Sequence, residues 1–210
     1  ELFQAAFQDI SVPCVLLTNT AGDLNFHNLS SITTDDRDAS RQAVRFLADR
    51  GHRRIGMLGG NWSCFQIGHS RYLGCQQACR ELGLPFDGER QCEPCRYSLE
   101  EGYAAAKVLL ERCPDLTAIF AVSDVTALGA MRALRDLGKR VPEDISVMGY
   151  DGIAIGQYSL PRLTTVRQDT QRLAQRGVDA LLHGIQRKSP PVHELVPFQL
   201  IEGESVAKIS

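Results

Sequence analysis

A chain of 210 residues can form one large domain or two small lobes, and its 43% hydrophobic and 23% charged residues exclude a disordered or low-complexity protein. The formal net charge of -2 excludes a global basic field for nucleic acid or an anionic membrane, so any contact with DNA is expected from a part outside this sequence. No apolar run approaches the roughly 20 residues that span a bilayer, and the first residues lack the features of a signal peptide, which predicts a cytosolic chain.

The first 50 residues contain few predicted elements. Apolar, β-branched runs predict strands at 12–19 and 29–35, and a helical pattern extends from about 37 to 50. These strands are too few to make a stable lobe by themselves. We therefore expect the first lobe to be incomplete on its N-terminal side.

From residue 54 onward, short apolar runs alternate with longer segments of helical period. Asp124 is the predicted N-cap of one of these helices, and Gly138 marks its end. The alternation predicts an α/β fold with a parallel sheet, right-handed crossovers and helices on both faces. The predicted elements are, in chain order, a strand at 55–58, a helix at 68–83, a weaker strand at 90–92, a helix at 99–112, a strand at 118–122, a helix at 124–138, and strands at 145–148 and 163–166.

Polar side chains follow several of these strands at the point where each strand ends. Asp151 follows the strand at 145–148, Ser123 and Asp124 follow the strand at 118–122, and Tyr97 follows the weaker one. The loop at 59–65 follows the strand at 55–58. Because ligands of open α/β sheets bind beyond the carboxyl ends of the strands, this edge is the predicted binding site.

The cysteines allow a metal site to be considered. Cys92 and Cys95 form a CxxC pair, and Cys75 and Cys79 are four residues apart on a predicted helix, so a four-thiolate zinc site is one interpretation. Cys75 and Cys79 also occupy helix positions that face the core, where cysteine acts as a small hydrophobic residue. We expect reduced, structural thiols, no metal and no cofactor; the seven are Cys14, Cys64, Cys75, Cys79, Cys92, Cys95 and Cys113.

Four segments in the right order carry a family resemblance. They are "RGHRRIGMLGG" (50–60), "SRYLGCQQACRELGL" (70–84), "AIFAVSDVTALGAMRALRDLGKRVPEDISVMGYDGI" (118–153) and "PRLTTVRQD" (161–169). Together they resemble the effector-binding core of the lactose-repressor/galactose-repressor (LacI/GalR) family of bacterial transcription regulators. The resemblance covers most of the chain from Pro13 to about Ser205.

The resemblance implies a two-lobed, periplasmic-binding-protein-like fold with an effector bound between the lobes. In the family a helix-turn-helix domain and further strands precede the equivalent of Glu1, and both are absent from this sequence. The expected divisions are 1–50 for the remainder of the N-terminal lobe, 51–160 for the C-terminal lobe, 161–190 for a crossover segment and a helix (170–185) returning to the first lobe, and 191–210 for a final strand (194–200) returning to the second.

Arg71 and Asp151 are the principal site residues that the resemblance implies. Arg71 stands where the family places an arginine at the start of a helix, and its fork of donors can hold a pair of ligand oxygens. Asp151, in "GYDGI", can accept hydrogen bonds from two hydroxyl groups, as in the vicinal diol of a sugar. The structural alternatives are a solvated helix-start arginine and a turn aspartate.

Five further residues are weaker candidates. Ser123 occupies a position where many members have asparagine, which shortens the reach to a ligand, and capping is the favoured role for Asp124. Tyr97 matches a position where the family often places an aromatic ring for stacking, although packing is the common role for such a ring. Phe65 and Thr170 are candidates of the same kind.

The predicted function is an effector-sensing domain of a homodimeric DNA-binding regulator, with a sugar as effector, although related pockets also accept purines and nucleosides. DNA would be bound only through the helix-turn-helix domain. The alternative is a solute-binding protein of a sugar transport or chemotaxis system on the same fold. An enzyme is disfavoured because the sequence contains no GxSxG, GxxxxGK[ST], GxGxxG or HExxH motif and its histidines show no metal-ligand spacing.

Overall fold

The computed structural model describes residues 10–20, 26–59, 66–186 and 190–209. In chain order the described elements are β1 (Cys14–Leu17), β2 (Leu29–Thr33), α1 (Asp36–Asp49), β3 (Ile55–Leu58), α2 (Gln66–Glu81), β4 (Cys92–Glu93), α3 (Leu99–Arg112), β5 (Ala118–Ala121), α4 (Asp124–Asp136), β6 (Ser146–Asp151), a 3-10 turn (Ala154–Gln157), β7 (Thr164–Gln168), α5 (Thr170–Ile185), β8 (His193–Leu195) and β9 (Phe198–Ile201). The predicted α/β class with parallel sheets is confirmed.

The first compact unit comprises Glu1–Asp35 and Gln168–Phe198. Its three-stranded sheet has the order β1-β2-β8, with both pairs parallel. Helix α5 packs against β1 and β2. The core of the unit is small because only Ile32, Leu173 and Val196 form its buried cluster among the described residues.

The second unit comprises Asp36–Arg167 and Gln199–Ser210. Its six-stranded sheet has the order β4-β3-β5-β6-β7-β9, and the pairs from β4 through β7 are parallel. Helices α3 and α4 approach closely because each places a glycine at the contact: a Cβ on Gly102 would lie 2.4 Å from the Thr126 carbonyl oxygen, and one on Gly129 would lie 2.1 Å from the Leu99 carbonyl oxygen. Between these helices and the sheet lies a hydrophobic core, which includes Leu58, Leu109, Ile119, Leu134 and Val147.

Two details differ from the predicted division of the chain. Helix α1 belongs to the second unit, since it packs against α2, where Gly74 allows the close approach of the Arg37 carbonyl. The expected single strand at 194–200 is wrong: β8 pairs with β2 in the first sheet, and β9 joins the second. Pro197 lies between them and cannot donate a ladder hydrogen bond, which explains the break.

The end of the chain is tied to the second sheet. The Ser205 hydroxyl donates to the Val147 carbonyl at 2.6 Å and accepts from the Thr164 amide at 2.8 Å. The buried His52 ring lies 3.1 Å from both the Ala207 carbonyl and the Thr117 hydroxyl, and burial lowers the pKa of His52. These contacts cover the amino ends of β5, β6 and β7.

Among the described residues, six cysteines are free thiols and no group of three or more His, Cys, Asp or Glu side chains could hold a metal ion. Cys64 lies outside those residues. None of the helices in the described ranges has both the length and the apolar composition to cross a membrane.

Candidate functional site

The strand order of the six-stranded sheet reverses at β3: the chain adds β4 on one side of β3 and then β5 on the other side. The gap between β3 and β5 is therefore the topological switch point of the sheet. Crevices at such a point are the usual ligand sites of open parallel sheets. Residues that follow β3, β5 and β6 therefore form the candidate site.

Arg71, on the second turn of α2, is the central residue of this edge. Its side chain is 3% exposed, and its Nε donates to Asp36 Oδ1 at 2.8 Å. Nη1 donates to the carbonyl of Val122, just after β5, and lies 3.6 Å from Asp151 Oδ1, at the end of β6. The guanidinium carbon sits 3.6 Å from the centre of the Tyr150 ring, a cation–π contact.

These neighbours keep the guanidinium charged although it is buried. Burial alone would lower the pKa of Arg71, but Asp36 first, and then Tyr150 and Asp151, raise it overall. A planar group with donors in several directions suits this arrangement, whereas the point charge of a lysine would not.

Asp36 is a site residue that the sequence reasoning missed. It is buried at the first position of α1, where an acid is also expected simply because it interacts favourably with the helix dipole. The sequence signal that could have identified Asp36 is its position three residues after the end of β2, a fully buried strand.

Tyr150 is wholly buried, and within the described residues its hydroxyl has no hydrogen-bond partner. Burial raises the pKa of Tyr150 well above its usual value; Arg71 opposes this, and the nearby Asp36 carboxylate adds to it.

The prediction that Asp124 caps α4 is wrong. Ser123 is the N-cap: its backbone is extended, and its hydroxyl accepts from the Thr126 amide at 3.2 Å. Asp124 is the first helical residue and is fully buried, with Oδ2 accepting from the Ile153 amide at 2.7 Å and Oδ1 from the Thr165 hydroxyl at 2.5 Å. Burial raises the pKa of Asp124 to about 6, although these two hydrogen bonds oppose the shift.

The backbone after β6 is unusual. Asp151 has φ of 112°, a region that side chains other than glycine rarely adopt, and such strain commonly marks functional sites. Gly152 follows with φ of 74°, and a Cβ there would lie 2.5 Å from Arg167 Cβ. The chain therefore turns sharply at the carboxylate, whose side chain is 31% exposed.

The remaining predicted site residues lie in different places. Tyr97, 45% exposed, precedes α3; burial raises the pKa of Tyr97, while Arg71 opposes the shift and Asp36 adds to it, which places the ring near the same charges. Thr170 is exposed at the start of α5 in the first unit. Phe65 lies outside the described residues.

Comparisons with known proteins identify the family to which this fold belongs. Residues 44–206 match the family described as "Periplasmic binding protein-like domain". The HTH-type transcriptional regulator MalR of Clostridium butyricum is 32% identical over 216 residues, which cover 100% of this chain and 62% of MalR.

Solved structures agree. The complex of the transcriptional regulator CelR with cellobiose has a TM-score of 0.85 at 31% identity and covers 91% of this chain and 58% of that chain. A LacI family transcriptional regulator from Enterococcus faecium with bound ribose has a TM-score of 0.83 at 28% identity, covering 94% and 72%.

The fold and the polar edge of its larger sheet define an α/β domain of the periplasmic-binding-protein-like class. The chain belongs to the LacI/GalR family of bacterial transcriptional regulators, which confirms the predicted resemblance. It spans less than two thirds of the length of MalR and of the CelR chain. These relatives are regulators rather than enzymes or transport proteins, and they favour the first of the two predicted functions.

Proposed function

We propose that this chain is the effector-binding part of a LacI/GalR-type DNA-binding regulator and that its effector is a sugar. The observation that carries the proposal is the convergence of Arg71, Asp151 and the exposed Tyr97 ring at the carboxyl edge of the six-stranded sheet. The cellobiose and ribose complexes of related regulators support a sugar over the purines and nucleosides that we also considered.

Asp151 is the residue best placed to touch the effector. Its carboxylate is partly exposed and can accept hydrogen bonds from two neighbouring hydroxyl groups. Arg71, which is buried, holds this carboxylate from behind and, among the described residues, its Nη2 has no hydrogen-bond partner and remains available for a ligand oxygen. The Tyr97 ring offers an apolar face for the ring of a sugar.

Ser123 and Asp124 would then act indirectly. Ser123 fixes the start of α4, and Asp124 fixes the turn after β6 through Ile153. We assign them a positioning role, while Thr170 and Phe65 remain candidate ligand residues on the strength of the family resemblance.

Calorimetric titration of the full-length regulator with cellobiose, maltose and ribose tests the proposal. One of these sugars should bind, and Asp151→Ala and Arg71→Ala should each weaken binding by roughly ten to a hundredfold, because unpaired polar groups in a desolvated site cost about 1–3 kcal/mol. Asp144→Ala is the matched control, since Asp144 is a carboxylate at the opposite end of β6. Wild-type affinity in both site variants would refute the assignment.

Effector binding can regulate DNA binding only if the effector prefers one of two states of the protein. The DNA-binding element would be the helix-turn-helix part named in the relatives, and a regulator of this kind acts in the cytoplasm. Fluorescence anisotropy of labelled operator DNA, measured with and without the sugar, would show whether the sugar weakens or strengthens DNA binding by the regulator.

We also propose that the regulator is a homodimer. Ile155, Tyr158 and Leu160 are 61%, 85% and 94% exposed in the loop after β6, which is an unusual concentration of large apolar side chains on a surface. Tyr158→Asp should yield monomers in sedimentation velocity. Val108→Asp, which changes an exposed apolar residue on α3, should leave the dimer intact; dimers with both variants would refute this interface.

A further inference from the structure

The candidate site carries more negative than positive charge. Its buried cation is Arg71, with Asp36 Oδ1 2.8 Å from Nε and Asp151 Oδ1 3.6 Å from Nη1. A third carboxylate, that of Asp124, packs against the backbone of Gly149. A Cβ on Gly149 would lie 2.3 Å from Asp124 Oδ1.

Two of the three guanidinium nitrogens of Arg71 are also occupied. Strong recognition of phosphate or carboxylate by arginine uses two parallel N–H groups that face the two oxygens. In this chain Nε is committed to Asp36, and Nη1 to the Val122 carbonyl and Asp151. Only Nη2 is left without a partner among the described residues, so a bidentate grip on an anionic ligand would have to displace either Asp36 from Nε or the Val122 carbonyl and Asp151 from Nη1.

Two other features could attract an anion at this edge. Arg167 lies opposite Asp151 in the sheet register and donates through Nη2 to the Gln199 side chain, so two cations, Arg71 and Arg167, face three carboxylates. The N-terminus of α4, whose dipole favours negative charge, is capped by Ser123 and carries Asp124 in its first turn.

We propose that Asp36 is a specificity-determining residue, which neutralises Arg71 and so restricts the site to uncharged, hydroxyl-rich ligands, excluding phosphorylated or acidic sugars. The inference rests on the proposed function and narrows its ligand class. A neutral sugar can donate hydroxyl hydrogen bonds to Asp151, whereas the phosphate of a phosphorylated sugar would meet an excess of carboxylates in a partly desolvated site. Specificity of this kind comes from repulsion of the wrong ligand as much as from attraction of the right one.

Matched ligand pairs test the inference in the full-length regulator: cellobiose and cellobiose 6-phosphate, maltose and maltose 6-phosphate, and ribose and ribose 5-phosphate. Calorimetry at neutral pH should show the neutral member of the cognate pair binding at least about tenfold more tightly than its phosphate. Asp36→Asn should reduce this ratio by about tenfold, because it removes one negative charge and replaces the ion pair with Nε of Arg71 by a weaker neutral hydrogen bond.

Asp144→Asn is the control for net charge. It removes the same charge from the whole protein, but Asp144 lies before the start of β6 and Asp151 at its end, roughly 20 Å apart. The affinity ratio should be unchanged in this variant. Equal changes in the ratio for the Asp36 and Asp144 variants would overturn a local role for Asp36.

A measurement on the wild-type protein does not depend on the folding of any variant. Raising the salt concentration should reduce the ratio of the affinity for the neutral sugar to the affinity for its phosphate, since screening weakens the repulsion of the phosphate. A phosphorylated sugar that binds as tightly as its neutral partner overturns the inference but leaves the effector function standing. Absence of binding by every member of every pair overturns the sugar effector itself, and the inference with it.

Discussion

Replacing Asp124 with asparagine is expected to remove a pH dependence that the folding stability of this protein carries between about pH 4 and about pH 7. The Asp124 side chain is fully buried, and burial raises its pKa from 3.8 to about 6 against the opposing hydrogen bonds from Thr165 and Ile153. The folded state therefore binds this proton more tightly than the unfolded state. The stabilisation is fully present below about pH 4 and is lost as the pH rises through about 6.

The magnitude follows from the size of the shift. A difference of about two pKa units between the folded and unfolded states corresponds to about 3 kcal/mol at about 1.4 kcal/mol per unit. Asparagine has nearly the same shape and no charge, so the variant lacks this component of the pH dependence. It also loses an acceptor for the Ile153 amide, but this cost is the same at every pH.

Urea unfolding of both proteins at several pH values from about 4.5 to about 7.5 measures the effect. The stability of Asp124→Asn relative to wild type should rise by about 2–3 kcal/mol across this range. Asp144→Asn is the control: a hydrogen bond from Arg140 lowers the pKa of Asp144 to about 2, so the group is ionised in both states throughout, and the difference should be flat. A flat or falling difference for Asp124→Asn would refute the argument.

Two further predictions concern the packing and the sheet edges. Gly149→Ala should lower the free energy of unfolding by about 2–3 kcal/mol in urea, because its Cβ would lie 2.3 Å from Asp124 Oδ1; Gly156→Ala, whose nearest contacts would be at 3.4 Å, should cost less than about 1 kcal/mol, and equal costs would contradict the reasoning. By hydrogen exchange, the amides of β1, which within the described residues pairs with β2 alone, should exchange much faster than those of β5, which lies between β3 and β6; strong protection of both strands would count against this.

Elements governed by local signals were predictable from the sequence. The predicted bounds of the helix at 99–112 match α3, where the Ser98 hydroxyl accepts from the Glu101 amide. The helix at 170–185, which the family resemblance implied, matches α5, where the Asp169 carboxylate accepts from the Arg172 amide. The break between β8 and β9 was not predictable in the same way. It depends on which sheet each short strand joins. This pairing is set by tertiary contacts, which a short apolar run in the sequence does not specify.

The same distinction explains the outcome at the site. Ser123 and Asp124 are both residue types that cap helices, and which one does so is decided by where the backbone becomes helical. The actual partners of Asp124 are Ile153 and Thr165, 29 and 41 residues away. A local sequence pattern does not predict a hydrogen-bond partner this far away along the chain. Asp124 was therefore assigned helix capping, the local role that aspartate favours.

The position of Arg71 shows how one side chain can fix several parts of the site. Its guanidinium joins the start of α1 through Asp36, the end of β5 through the Val122 carbonyl, and the end of β6 through Tyr150 and Asp151. The strained backbone of Asp151 costs about 1–3 kcal/mol and persists only where the surroundings determine it. The ion pair with Arg71 and the strand pairing with Arg167 both restrain this residue and hold its partly exposed carboxylate. Under the proposed function, a sugar hydroxyl that binds Asp151 would meet a group whose ordering cost has already been met by folding, which favours affinity.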